Sequence, residues 1–308
     1  MSILLEAVDL VKHFYNKKQR KHIKACDGVG MAIGKGQTLG LVGESGCGKT
    51  TVGRLLLRLI DPDSGDVLYK GLSLLQLREH ELRFMRKNFQ MIFQDSRASF
   101  NPRMRVFDSL NEAIRLHRKL PAPEMKEEID LLISKVNLHR GLLYHFIGNL
   151  SGGELKRLDI ARALAIQPEL IVADEPLALL DMSMQAQMVN LFLETQEESD
   201  VSLLFISHDL RIVRILSHTV AVMYGGRIVE VVPKGEVASS PLHPYTRYLW
   251  KPKSVEFVFQ YPEGGCVYKN ACALFQERGF PAKCVEISPE LIEYGSGHYA
   301  ACHFAGRD

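Results

Sequence analysis

The sequence predicts an α/β fold built on buried parallel strands, and three observations carry that expectation. Thr38-Leu39-Gly40-Leu41-Val42 is a short apolar run that passes through a glycine-rich turn into a helical pattern from Thr50 to Ile60. Leu170-Ile171-Val172-Ala173 is a second apolar run, ending in acids, and Val201 to Ile206 is a third, ending at Ser207-His208-Asp209. Continuous apolar runs of this length are the mark of strands covered on both faces. Open α/β sheets collect their ligands at the carboxyl ends of such strands.

The remaining elements follow in order. Leu4 to Val11 alternates as a strand should and leads to the basic stretch Asn16-Lys17-Lys18-Gln19-Arg20-Lys21, a solvated turn or hairpin tip. Asp61-Pro62-Asp63-Ser64-Gly65 ends the first helix, and residues from about 96 to 145 read as an inserted helical lobe broken at Asn101-Pro102 and Pro121-Ala122-Pro123. A helix runs from Ser151 through Ala165, with Leu155, Leu158, Ala161 and Leu164 as its apolar face. Tyr224-Gly225-Gly226-Arg227 between two apolar runs reads as a hairpin. Past His243-Pro244-Tyr245-Thr246 the composition shifts to Pro, Gly, Lys and Cys, which places a domain boundary near residue 250.

The chain of 308 residues can bury a core without staples, and its 24% charged residues and net charge of +2 exclude a strong pull toward nucleic acid or anionic lipid. No apolar run approaches the roughly 18 residues of a membrane span, and Met1 to Glu6 lacks the order of a signal peptide, so a cytosolic protein is expected. Cys266, Cys272, Cys284 and Cys302 crowd the end of the chain, and in a reducing compartment this suggests metal rather than disulfides.

Gly43-Glu44-Ser45-Gly46-Cys47-Gly48-Lys49-Thr50 has the spacing G-x-x-x-x-G-K-[ST] between a strand and a helix. Small residues let backbone N–H groups curl around phosphates, Lys49 reaches the β- and γ-phosphates, and Thr50 offers its hydroxyl to Mg²⁺. The helix N-terminus below favours the anion. Asp174 and Glu175 at a strand end suit Mg²⁺ held through water and a carboxylate that positions an attacking water. Ser151 and Glu154 fit a capping box, while Gly152 and Gly153 leave N–H groups open to an anion; the residues alone do not separate these two readings.

Leu150-Ser151-Gly152-Gly153-Glu154, lying between the phosphate cradle and Asp174-Glu175, resembles the signature motif of the ATP-binding cassette (ABC) ATPases. The resemblance implies a P-loop NTPase (RecA-like) core with an antiparallel β-subdomain and a helical subdomain at about 96–160, together spanning 1–250, and a small Cys-bearing module at 251–308. It implies Gln94 as the glutamine that touches Mg²⁺, His208 as the γ-phosphate contact and Asp181 as the D-loop aspartate. Phe14, with Tyr15 as the alternative, matches the aromatic that stacks on adenine, and Thr51 completes the nucleotide contacts. ATP on one cradle is then closed by the signature helix of another subunit, Ser151 and Gly153 here serving the partner's nucleotide. Two departures stand out: Glu154 replaces a commoner glutamine, and Leu177-Ala178-Leu179 lacks the hydroxyls usual before the D-loop.

Phe93-Gln94-Asp95, Ser99-Phe100-Asn101-Pro102-Arg103 and Ser240-Pro241-Leu242-His243-Pro244-Tyr245-Thr246 resemble the dipeptide/oligopeptide importer subfamily, whose features nickel and some oligosaccharide importers share. This implies a peripheral subunit on the cytoplasmic face of the cell membrane. Its expected partners are a second, non-identical ATPase, two transmembrane permeases and, through them, an extracytoplasmic substrate-binding protein. The tail is similar to the subfamily's C-terminal module, with Trp250 to Tyr261 a shorter link into it. Its spacing C-x5-C-x11-C-x17-C has the thiolate count of a [4Fe–4S] cluster or a zinc site but lacks zinc-ribbon knuckles, so iron–sulfur is expected first and zinc second, with free buried thiols as the bland alternative. A soluble cassette ATPase of ribosomes or DNA is the rival class, and such chains commonly carry two cassettes or a long coiled coil. A nucleotide-gated module without turnover is another.

Overall fold

The computed structural model describes residues 2–16, 21–236, 239–250, 262 and 264–306. The chain opens with β1 (Ile3–Asn16), β2 (Lys21–Gly34), β3 (Thr38–Val42), α1 (Lys49–Leu56), β4 (Ser64–Tyr69) and β5 (Leu72–Ser73). There follow α2 (Glu79–Met85), β6 (Phe89–Ile92), α3 (Val106–His117), α4 (Ala122–Lys135), α5 (Gly152–Ala165), β7 (Leu170–Asp174), α6 (Met182–Ser199) and β8 (Ser202–Ile206). It closes with α7 (Leu210–Leu216), β9 (Thr219–Tyr224), β10 (Arg227–Pro233), α8 (Pro244–Trp250), α9 (Ala273–Glu277), α10 (Ala282–Glu286), β11 (Ile292–Gly295) and β12 (His298–Ala300). Two compact units emerge: residues 1–34, 38–76 and 207–308 in the first, and 35–37 with 77–206 in the second.

In the first unit, β1 pairs antiparallel with β2 and with β4, and β4 with β5. The Asn16↔Lys21 pair confirms the hairpin, while its basic tip at 17–20 lies outside the described residues, as does the link at 251–261. A second set of strands runs β11-β12-β10-β9-β3, in which β3 and β9 are parallel. All five residues of β3 are buried, which is why its sequence is apolar throughout. The turn between β9 and β10 is closed by Gly225 (φ 55°) and Gly226 (φ 81°), the two positive-φ residues that a tight twisted hairpin demands.

In the second unit, β6, β7 and β8 are parallel neighbours, with Ile92↔Ala173 and Asp174↔Ile206 at their carboxyl ends. Helices α3, α4 and α5 pack together through Leu110, Ile114, Ile129, Ile133, Leu158 and Ala161, all fully buried. Pro121-Ala122-Pro123, expected as a break, instead starts α4, because a first helical turn needs no N–H at these positions. Helix α1 stops at Leu56, short of the expected Ile60. Arg58 turns left-handed (φ 46°), and its guanidinium donates to Leu74 O at 2.8 Å, which the straight helix would not allow.

The tail joins the first unit through β12, which pairs with β10. Behind that pairing Glu230 is fully buried and accepts hydrogen bonds from Leu242 N (2.7 Å), His243 N (2.9 Å) and the ring of His298, whose Nε2 lies 2.7 Å away. One carboxylate therefore ties β10, the segment before α8 and β12. Replacing Glu230 by Ala strands one buried and one part-buried N–H group and a buried histidine, and is expected to cost roughly 3–5 kcal/mol. Chemical denaturation followed by circular dichroism checks this, with Glu230→Gln expected between the variant and the native chain.

Candidate active site

The cradle is shaped by backbone crowding. Gly43 (φ 153°) leaves β3 so close to β9 that a Cβ would stand 2.2 Å from Met223 O. Gly48 (φ 114°) caps α1, and there a Cβ would stand 2.0 Å from Ala25 O in β2. Only glycine fits either position. Between them Ser45 and Gly46 are exposed, Cys47 is buried and donates its N–H to Glu44 O, and Gly226 N–H donates to Cys47 O at 3.0 Å. Lys49, mostly buried, arches back over the loop, its ammonium donating to Gly43 O at 2.7 Å and Glu44 O at 2.8 Å. Thr50 and Thr51 stand half-buried in the first turn of α1.

Burial pushes the Glu44 carboxyl up from its ordinary range, and Lys49 opposes the shift. Burial likewise raises the Cys47 thiol against the pull of Lys49, so Cys47 is a packing group rather than a nucleophile. Glu44 N–H donates to the hydroxyl of the buried Tyr245 at 2.9 Å.

His208 and Phe14 belong to the same unit as the cradle. Ser207 N–H donates to Leu41 O at 3.3 Å, which sets His208 beside the carboxyl end of β3. Asp209 caps α7 by accepting from Arg211 N–H and holds the turn that carries His208. Phe14 and Tyr15 are 42% and 53% exposed near the hairpin end of β1 and β2. Phe14 lies opposite Ile23, two residues along β2 from the Ala25 whose carbonyl abuts Gly48.

In the second unit, Asp174 is 1% exposed at the last position of β7 and Glu175 follows it at φ 48°, a left-handed conformation unusual outside glycine. The Glu175 N–H donates to Ile206 O at 3.0 Å, which holds the turn in place. Gln94 is exposed just past β6, and its carbonyl, with that of Phe93, accepts from the buried ammonium of Lys156 on α5 (3.3 and 2.6 Å). Burial lowers the affinity of that ammonium for its proton, and Asp159 and Asp174 oppose the shift in part. The sequence reading overlooked Lys156; its signal is a Lys156/Asp159 pair at i,i+3 on a face that otherwise reads as apolar.

Ser151 caps α5 in a complete capping box. Its Oγ accepts from Glu154 N–H at 3.3 Å, and Glu154 Oε2 accepts from Ser151 N–H at 2.8 Å and from Ser151 Oγ–H at 2.7 Å. Glu154 thereby orients the serine hydroxyl, and these hydrogen bonds hold its carboxyl below the usual range. Gly152 and Gly153 lie against Leu179 and Leu180: a Cβ on either glycine would meet those side chains at 3.5 Å. The apolar approach to the D-loop thus covers the signature glycines. Asp181 accepts from Met184 N–H at 2.9 Å and caps α6.

Oxygen donors such as the Thr50 hydroxyl and the Asp174 carboxylate suit a hard cation like Mg²⁺. The tail is different. Cys266, Cys272 and Cys284 are buried and Cys302 half-buried, all as free thiols, and burial pushes Cys266 up to about 12, with Cys284, Cys272 and Cys302 adding electrostatically. The thiols are neighbours, yet among the described residues no group of three or more His, Cys, Asp or Glu side chains stands in metal-holding geometry. The expected four-cysteine ligand set is therefore not formed by these side chains as placed. Protonated thiols pack as small apolar groups, and ligation requires their deprotonation.

The profile of the family described as "ABC transporter" matches residues 26–178. The chain is 41% identical over 323 residues to the oligopeptide transport ATP-binding protein AppF of Bacillus subtilis (strain 168), covering 97% of each chain. It is 40% identical over 325 residues to the oligopeptide transport ATP-binding protein OppF of Escherichia coli (strain K12), covering 97% of this chain and 96% of that one. Among solved structures, a dimeric bacterial ABC transporter cassette superposes with a TM-score of 0.68 at 22% identity, over 73% of this chain and 96% of that one, a likeness of fold.

Gly48→Ala combines a disallowed backbone conformation with a collision at Ala25 O. It is expected to weaken nucleotide binding about 100-fold or more, read by titration with a fluorescent ATP analogue. Retained affinity would show that the loop is not held by this crowding.

Proposed function

The chain belongs to the ABC transporter ATP-binding family, and from that premise we propose that it is the ATP-hydrolysing subunit driving an importer of di- or oligopeptides. The observation that carries this reading is identity near 40% to oligopeptide transport ATP-binding proteins over almost the full length of both chains. Cargo named for those proteins is carried over to this one as part of the proposal.

In this reading Gly43, Glu44, Ser45, Gly46, Cys47, Gly48, Lys49, Thr50 and Thr51 receive the phosphates, with Lys49 trading its loop carbonyls for the β- and γ-oxygens. Phe14 stacks on adenine. Thr50, Gln94 and Asp174 would hold Mg²⁺, which when bound neutralises charge on the phosphates. Glu175 orients and deprotonates the attacking water, and His208 contacts the γ-phosphate. Ser151, Gly152 and Gly153 close over a nucleotide held by another subunit, with Asp181 at that seam. The Ser151 hydroxyl must then leave Glu154 to donate to phosphate, so Glu154 sets how readily the signature engages.

One cradle and one signature per chain favour pairing with a second ATPase, and a non-identical one is the subfamily's habit. The pair would work at the cytoplasmic face of the membrane on two permeases, which connect to an extracytoplasmic binding protein. Among the described residues no helix is long and apolar enough to cross a membrane, which suits a peripheral subunit. ATP closes the ATPase pair, the permeases open outward, and hydrolysis resets them. The division into a cassette at 1–250 and a module at 251–308 belongs to the same proposal.

For the tail, the proposal keeps a [4Fe–4S] cluster on Cys266, Cys272, Cys284 and Cys302 first and zinc second. Thiol count and proximity support it. Anaerobic purification followed by iron, sulfide and zinc analysis is expected to find metal, and a fully folded metal-free protein overturns it. For the motor, Glu175→Gln in the assembled complex is expected to cut ATP turnover about 100-fold or more while leaving ATP binding intact. Unchanged turnover would remove Glu175 from the chemistry.

A further inference from the structure

The segment Ser240 to Thr246 marks the subfamily in the sequence, but no role in hydrolysis has been given to it. Its Tyr245 is 1% exposed and 201 residues from the cradle in sequence, yet its hydroxyl accepts the Glu44 N–H at 2.9 Å. Glu44 directly follows Gly43, where the chain leaves β3 for the phosphate loop. The bond fixes that N–H on a buried side chain at the point where the loop begins to curl.

Tyr245 is itself fixed from two sides. Its N–H donates to His243 Nδ1 at 3.1 Å, and His243 N–H donates to the buried carboxylate of Glu230 at 2.9 Å. Burial depresses His243 to about 3, so its ring stays neutral and Nδ1 stays an acceptor at any working pH. The Tyr245 ring lies 4.6 Å from that of Tyr224, which follows the Met223 carbonyl crowding Gly43.

The second side is the tail. Tyr268, between Cys266 and Cys272, places its ring 5.4 Å from Tyr245, 5.1 Å from Tyr224 edge-on at 88°, and 5.6 Å from His243. Aromatic contacts at these separations hold one another's position. The tail thus touches the residue that touches the cradle.

We propose that Tyr245 is a positioning residue for the phosphate cradle, acting through the Glu44 N–H, and that the tail sets the place of Tyr245 through Tyr268, so that the tail tunes affinity for ATP. The proposal rests on the reading of this chain as an ATPase. Neither tyrosine is assigned contact with the reacting atoms. Their effect falls on how far the empty loop already holds the shape that receives phosphate, hence on nucleotide affinity more than on the chemical step.

The test is ATP turnover by the full chain in its assembled complex, measured against ATP concentration. Tyr245→Phe keeps the ring and removes the accepting oxygen. It is expected to raise KM for ATP about five- to tenfold, the effect of one lost hydrogen bond, with kcat within about twofold. Tyr268→Leu is expected to raise KM in the same direction, and Tyr268→Phe, which keeps the ring, to restore it. A merely structural role would lower the amount of active complex and kcat while leaving KM alone. Wild-type KM in Tyr245→Phe overturns the positioning role; a raised KM there with wild-type KM in Tyr268→Leu overturns the tail's part. If Tyr268→Leu fails to fold, Tyr268→Met, which keeps bulk without the ring, takes its place with the same two outcomes. A wild-type complex that does not hydrolyse ATP overturns the ATPase reading itself, a result distinct from either.

Discussion

The nucleotide end of the protein depends on one steric constraint: at Gly43 and Gly48 the loop backbone is pressed against neighbouring strands with no space for a side chain. The two carbonyls responsible, Met223 O on β9 and Ala25 O on β2, come from distant parts of the chain. The loop is therefore a product of the assembled unit and not of its own sequence alone. With the loop so held, Lys49 can arch over it and the helix N-terminus below faces the same point. The parallel pairing of β3 with β9 brings Met223 to that place, and the positive-φ pair Gly225-Gly226 returns the chain against Cys47.

Strand ends do comparable work in the second unit. The parallel pairing of β6, β7 and β8 brings Gln94, Asp174 and Glu175 to one edge, at the carboxyl ends of largely buried strands. Glu175 and Leu179 both adopt left-handed backbone, at φ 48° and 69°. Such conformations cost about 1–3 kcal/mol each and persist where surroundings over-determine them. Here the Glu175 N–H bond to Ile206 and the packing of Leu179 beside Gly152 supply that support. The departure from hydroxyl-bearing residues before the D-loop thereby acquires a physical content: an exposed apolar side chain beside the signature glycines.

Local features were legible in the sequence. The Gly-Gly hairpin, the Ser151–Glu154 capping box and the buried strands each follow from short-range rules that a few adjacent residues satisfy by themselves. What was not legible depends on pairs far apart in sequence. Tyr245 meets Glu44 across 201 residues, and no periodicity or spacing announces that bond. Lys156 was hidden for a different reason, since a lysine on an apolar face reads as an interruption until the carbonyls of Phe93 and Gln94 are found above it. The early end of α1 was decided by Arg58 and Leu74, again a tertiary contact overriding a helical pattern. The cysteine spacing conveyed number and order, but spacing carries no distances, and the thiols came out as neighbours without a ligand geometry.

Glu230, His243, Tyr245 and Tyr268 join β10, α8 and the tail into the support on which the cradle's first turn rests. In the proposed function this architecture converts ATP hydrolysis into peptide import. The most direct measurement of that conversion is ATP turnover by the full chain with its partner ATPase and permeases in proteoliposomes, with and without a peptide-loaded binding protein on the opposite face. Turnover is expected to rise when loaded binding protein is present, with peptide accumulating inside in step with ATP consumed. Turnover indifferent to the loaded binding protein, with no peptide accumulating, would contradict it.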